Sequence, residues 1–169
     1  WLVPLLRSAL IGANLSFVAD AILPQARALG ERAERARSAN RAYEAQRCGA
    51  AEHALWSLFP AFANWPTDAA DSFPMVAKDL GNALSSRIDL QAPVCEGLKR
   101  LIRQGRIGAG VYEVDDDDDA GDGASTIAAG EPNDEHMPAS FTVDVAEAQL
   151  AAVSKYARNF LPILFNLFV

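Results

Sequence analysis

Histidine and cysteine are scarce in this chain, and their placement excludes most site chemistry. Only two histidines, His53 and His136, and two cysteines, Cys48 and Cys95, occur in 169 residues. Neither histidine has a partner at zinc-site or triad spacing, so neither is a candidate ligand, acid or base. The cysteines stand apart in apolar helical contexts with no metal or redox spacing, which fits free thiols in a reducing compartment. No cofactor and no metal are expected. Long apolar runs are missing as well. The run at 160–169 is interrupted by Asn166 and is too short for a bilayer crossing, which needs about 20 residues. Period-two alternation is confined to 111–114 and 140–143, so no strand of useful length is expected.

Positive charge is absent from one whole stretch. Residues 112–140 hold ten acidic side chains and no Lys or Arg, which leaves 15 basic against 12 acidic residues elsewhere. The net charge of −7 therefore averages a mildly basic helical part with an acidic, flexible loop. The run Asp115 to Asp119 lacks the spaced ligands and glycine turn of a calcium loop, and unspecific screening by cations is the expectation. Gly105-Arg-Ile-Gly-Ala-Gly110 has no Lys-Ser or Lys-Thr after it and ends a helix instead of opening one. It reads as a helix terminator and not as a phosphate loop. Without nucleophile, base or cofactor motif, the chain is not read as an enzyme.

What is present is helical periodicity punctuated by proline. Val3-Pro4, Leu23-Pro24, Phe59-Pro60, Phe73-Pro74, Ala92-Pro93 and Leu161-Pro162 place proline in or beside apolar helical stretches, where packed neighbours must hold a kinked helix. The spacing predicts a first helix over about 2–11 and a second capped by Asn14, with Pro24 bending it by freeing the carbonyl of Asp20. The polar segment after Gly30 continues that helix. A third helix runs from about 41 to 62 with Leu55, Leu58, Phe59 and Phe62 as its stripe. A fourth starts after Asp68 or Ser72 and buries Phe73, Val76, Ala77, Leu80 and Leu84. A fifth follows Asp89 with Val94, Leu98, Leu101 and Ile102, and Gly105 to Gly110 closes it. A last helix begins near Thr142 or Asp144 and presents Leu150, Val153, Ala157, Phe160, Leu161 and Leu164.

These elements predict an all-α chain, an α-solenoid of antiparallel helix pairs of roughly 40 residues each, the size of HEAT or armadillo-like repeats. Residues 1–111 form the helical repeats, 112–140 the acidic loop, and 141–169 a continuing repeat. Trp1 in place of Met and apolar segments at both ends are read as an internal piece of a longer array. Function then rests on surface. Arg32, Arg35, Arg37, Arg41 and Arg47 form one basic segment, diluted by Glu31, Glu34 and Glu44. Lys99, Arg100, Arg103 and Arg106 form a second, with 99, 103 and 106 on one helix face, and are the better candidates for RNA or phosphate contact.

An ordered set of segments resembles a known family. Trp1-Leu-Val-Pro-Leu-Leu-Arg7, Leu23-Pro-Gln-Ala26, Leu55-Trp-Ser-Leu-Phe-Pro-Ala-Phe62 with Pro66-Thr-Asp68, Phe73-Pro74, Leu80-Gly-Asn-Ala-Leu84, Val94-Cys95 with Leu98, Leu101 and Ile102, and Tyr156-Ala-Arg-Asn-Phe-Leu-Pro-Ile-Leu-Phe-Asn166 are similar to the HEAT-repeat ribosomal-RNA-processing protein 12 family of eukaryotic pre-ribosomes. Ala63 stands where that pattern leads one to expect a cysteine, and the acidic loop matches nothing in it. The resemblance implies a non-catalytic nucleolar scaffold of the small-subunit precursor, with precursor ribosomal RNA, assembly factors and other repeats of its own chain as partners. It also implies a role in subunit maturation or export, with shuttling to the cytoplasm. The alternative is a karyopherin-like transport receptor, also a HEAT solenoid. Leu5, Pro60 and Ala69 follow the three tryptophans by four residues, where import adaptors carry asparagine.

Overall fold

Proline decides where several helices begin. The computed structural model describes residues 14–111 and 137–167. The expected first helix, the stretch 112–136 and the last two residues lie outside the described residues. Helix α1 (Leu23–Ser38) has Pro24 in its opening turn, and α3 (Phe59–Phe62) has Pro60 there. In α5 (Gln91–Gly108) the third residue is Pro93. A first turn has no intrahelical use for that N–H, so these prolines start helices and need no kink. Among the described residues, only Pro74 in α4 (Ala69–Ser86) and Pro162 in α6 (Val143–Leu167) sit inside a helix.

Two expectations about proline change accordingly. Ahead of Pro24, residues Val18–Ile22 form a π-helical turn, and the Leu23 N–H bonds the Val18 carbonyl. The chain meets the proline by widening its ladder, in place of a bend at a freed Asp20 carbonyl. The helix expected over 41–62 is two helices. α2 (Ala42–Trp56) stops four residues before Pro60, whose ring would press on the Trp56 carbonyl, and α3 follows after a turn at Ser57 and Leu58.

Helix ends use two matched devices. After α1, Asn40 adopts φ 57°, and the Asn40 and Arg41 N–H groups bond the carbonyls of Arg37 (3.0 Å) and Ala36 (2.8 Å). After α5, Gly110 has φ 67°, and the Gly110 and Val111 N–H groups bond Ile107 (3.0 Å) and Arg106 (2.9 Å). Both are left-handed caps that satisfy the last carbonyls. Asn14 does not cap the helix that follows it. The Leu15 and Ser16 N–H groups donate instead to the Asp68 carboxylate, at 2.6 and 2.8 Å, from more than 50 residues away in sequence. Asp68 also holds the N-cap position of α4, and Ser72 Oγ donates to it at 3.0 Å. One carboxylate therefore fastens the start of two helices.

The helices stack as two layers of an all-α solenoid, and no strand occurs among the described residues. The π turn leading into α1, α4 and α6 form one layer, with α4 against both of the others. The α2–α3 segment and α5 form the second, with α3 against α5. Between them lies one core that includes Val18, Ile22, Phe59, Phe73, Leu80, Leu84, Val94, Leu101 and Phe160. The expected α4 stripe is buried in full. Phe73 meets Tyr156 and Phe160 edge-on, with centroids 5.7 and 6.3 Å apart, and so joins α4 to α6. Leu161 is an exception to the expected α6 stripe and is 49% exposed. Ile102 on α5 is another, at 42%. Both lie one position beyond a buried residue, Phe160 and Leu101, which takes the core-facing direction. Leu164 lies outside the described side chains.

Glycines let α5 sit close to its neighbours. A Cβ on Gly97 would overlap the Phe59 ring. One on Gly105 would lie 2.9 Å from the Leu150 side chain, and one on Gly108 2.7 Å from Phe141 and 2.8 Å from Ala146. Gly105 and Gly108 are thus packing positions inside α5, and only Gly110 terminates it. Beside them, Gln104 is 1% exposed. Its Oε1 accepts from the Trp65 N–H at 2.6 Å and its Nε2 donates to Asn64 Oδ1 at 2.9 Å. These bonds hold Trp65 at φ 54°, a left-handed conformation unusual for a bulky residue. The Trp65 ring packs edge-on to Phe141 at 4.9 Å.

Two predictions follow from this packing. Gly97→Ala should destabilise by about 1–3 kcal/mol through overpacking, and Phe59→Leu in the same chain should recover part of that loss; equal losses in both backgrounds, measured by denaturant unfolding, would remove the contact. Burial opposes ionisation of Asp68, but the Ser16 and Leu15 N–H groups and the Ser16 and Ser72 hydroxyls outweigh it and hold the carboxyl below its ordinary range. A carboxyl lowered by folding stabilises above its unfolded value, near 4, and stops doing so as pH falls through the folded one. Amide exchange at Leu15 and Ser16 should therefore accelerate relative to the core on acidification, and Asp68→Asn should reproduce much of that acceleration at neutral pH.

Candidate functional site

The amphipathic geometry of α5 places its charged residues. Gly97, Leu98, Leu101, Gln104, Gly105 and Gly108 turn inward, which leaves the opposite face to Lys99, Ile102 and Arg106, all exposed. Arg103 lies between Lys99 and Arg106 and is half-buried. At about 100° per residue these cations fall within one narrow sector of the helix. Arg100 stands apart from them. Its side chain is mostly covered and its Nε bonds Glu96 at 2.9 Å, an i,i+4 ion pair that spends its charge locally. Of the four residues expected to meet phosphate, the structure groups Lys99, Arg103 and Arg106 and assigns Arg100 to Glu96.

The first basic segment becomes a helical hairpin of α1 and α2. Ala33, Ala36, Ala45 and Cys48 are buried between the two helices beyond the main core. Outside them Arg32 and Arg41 share one carboxylate, Glu44, each at 2.9 Å. The hydrogen bond from Arg32 is the main cause that holds the Glu44 carboxyl below its ordinary range. Arg37 pairs with Glu34, and Arg35 donates to the Glu31 carbonyl at 3.3 Å. Arg47 makes no ion pair among the described residues; its guanidinium lies 5.7 Å from the Tyr43 ring centroid. The Tyr43–Arg47 pair was missed in the reading of the sequence, although its i,i+4 spacing on a helix was a usable signal.

Charge also ties the hairpin to the next helix pair. Arg27 meets Asp79 through two bonds of 3.2 and 2.6 Å. Arg87, in the turn between α4 and α5, bonds buried Glu52 at 2.8 Å and Asp89 at 2.9 Å. These partners hold the Arg87 guanidinium firmly in its charged form, with Asp89 the stronger influence and Glu52 next. Gly30 makes room for Glu52, whose Oε1 would lie 2.9 Å from a Cβ there. Such pairs set the relation of one repeat to the next, and contribute position more than net energy.

The remaining candidates offer little chemistry. His53 is exposed, and its Nδ1 is 3.5 Å from Ser57 Oγ, which donates instead to the His53 carbonyl at 2.9 Å. Burial raises the Cys95 thiol above its usual range, the reverse of an activated nucleophile. Cys48 is buried. His136 and the acidic run lie outside the described residues. Among the described residues no cluster of three metal-ligating side chains occurs, and no helix is long and apolar enough to cross a membrane.

The family model described as ribosomal RNA-processing protein 12, HEAT repeats, matches residues 1–169. Similar chains are RRP12-like proteins of Gallus gallus, 31% identical over 168 residues, and of Homo sapiens, 32% identical over 168 residues. Another is the RRP12-like protein of Drosophila melanogaster, 29% identical over 173 residues. In each case 99% of this chain is covered, and it spans about a tenth of the relative's length. A two-layer helical stack, matched along its whole length by that model, makes this chain a member of the RRP12 HEAT-repeat family.

Proposed function

We propose that this chain is one part of a non-catalytic scaffold in ribosome biogenesis, in a precursor particle of the small subunit, and that it supports maturation of precursor ribosomal RNA. The observation that carries the reading is the solvent face of α5, where Lys99 and Arg106 are exposed around half-buried Arg103 on a helix whose other side is locked into the stack. A rigid row of cations suits a phosphate backbone, and its contribution is electrostatic and independent of base sequence. Membership of the RRP12 family supports the process to which this contact belongs. The partners in this reading are precursor RNA, small-subunit assembly factors and neighbouring repeats of a longer chain. The place of action is the nucleolus and nucleus, with passage to the cytoplasm alongside the subunit.

The test is affinity purification of tagged full-length protein with RNA sequencing and mass spectrometry of the same sample. Precursor ribosomal RNA with small-subunit assembly factors is the expected recovery. A transport GTPase with nuclear-pore proteins and no precursor RNA would replace the scaffold with a transport receptor. Lys99→Glu with Arg106→Glu should lower precursor RNA recovery severalfold and leave helical circular dichroism unchanged, because both side chains are exposed. The same recovery as wild type would remove the α5 face.

A further inference from the structure

Tyr43, the second residue of α2, is 74% exposed. Its ring face is open to a ligand, and Arg47 one turn on stands over it. The ring and guanidinium border a groove between the helices of the hairpin, lined also by Leu29, Arg32, Arg41 and Cys48. Glu44 is the one carboxylate in that lining, and it is shared by Arg32 and Arg41. Three guanidiniums against one carboxylate leave the groove positive, and an aromatic face stands at its edge.

That combination fits one ligand chemistry better than others. An unpaired nucleotide offers a flat base to stack on tyrosine and phosphates for the surrounding guanidiniums. A duplex hides its base faces inside the stack, and an acidic peptide would use the cations but leave the ring idle. Resting on the reading that the chain contacts RNA, we propose that the α1–α2 groove binds single-stranded RNA. Tyr43 stacks on an unpaired base, and Arg47, which makes no ion pair among the described residues, receives the adjoining phosphate, while Arg32 and Arg41 stay on Glu44 and add only to the positive field of the groove. This contact is separate from the α5 face and differs from it in kind, since stacking requires an unpaired base and the α5 cations require only a backbone.

The experiment uses full-length protein, a short fluorescent oligoadenylate, an abasic strand of equal length and a poly-glutamate peptide. Ultraviolet crosslinks to the oligoadenylate are mapped by mass spectrometry. The expected result is a crosslink at Tyr43, with binding of the oligoadenylate weakened about tenfold by Tyr43→Ala and retained by Tyr43→Phe. The abasic strand should bind wild type and Tyr43→Ala alike, and Arg47→Gln should weaken both strands. Unchanged oligoadenylate affinity in Tyr43→Ala with crosslinks only elsewhere would overturn the groove, as would a loss of poly-glutamate binding without a loss of RNA binding. If Lys99→Glu with Arg106→Glu abolishes RNA binding while the Tyr43 variants do not, the groove fails and the scaffold reading stands. If wild-type protein binds neither strand, both fall.

Discussion

The seating of α5 is the constraint on which the rest depends. Its inner face lacks a Cβ at three places, and each gap is filled by a large neighbour: Phe59 at Gly97, Leu150 at Gly105, Phe141 at Gly108. These neighbours come from both sides of α5 in the chain, so one helix serves as the surface on which earlier and later segments register. Interiors are close-packed and bistable instead of elastic, and a rod held this way has little freedom to roll. Its solvent face inherits that rigidity. Lys99 and Arg106 occupy fixed positions because of residues on the opposite side of the helix.

Apolar packing alone would leave the joints between helix pairs loosely specified, and polar groups supply the detail. Gln104 fixes the turn that carries Asn64 and Trp65, using both ends of one amide. Asp68 gathers N–H groups from a segment far away in sequence while it starts α4. Glu52 and Arg87 join the hairpin to the following pair under partial cover. Each is a directional bond at a place where a helix begins or a turn reverses, so the angle between repeats is set at the joints.

Much of this organisation was legible in the residues. The α4 stripe from Phe73 to Leu84 repeats cleanly at three and four, and all of it is buried. The polar continuation beyond Gly30 is helical to Ser38, as its composition indicates. Legibility ended where the determinant was tertiary. Gly105 and Gly108 carry the composition of a terminator, and only the positions of Leu150, Phe141 and Ala146 explain why they lie within a helix. Asn14 is a good local cap that lost to a distant carboxylate. Pro60 broke a helix that the apolar stripe alone would have carried through to Phe62. For the candidate site, the shared face of Lys99, Arg103 and Arg106 follows from spacing. The diversion of Arg100 to Glu96 depends on burial, which spacing does not report.

The hairpin formed by α1 and α2 differs from the rest in what fills it. Past Ala26 and Trp56 its two helices meet through alanines, one cysteine and the close approach of Glu52 to Gly30, outside the main core. Small side chains bring backbones close but bury little area, so this arm gains far less from leaving water than the body does. Its local opening therefore requires a smaller free energy than global unfolding. Held to the body by Arg27–Asp79 and Arg87–Glu52, the arm is expected to open locally, at its far end, before the stack behind it does.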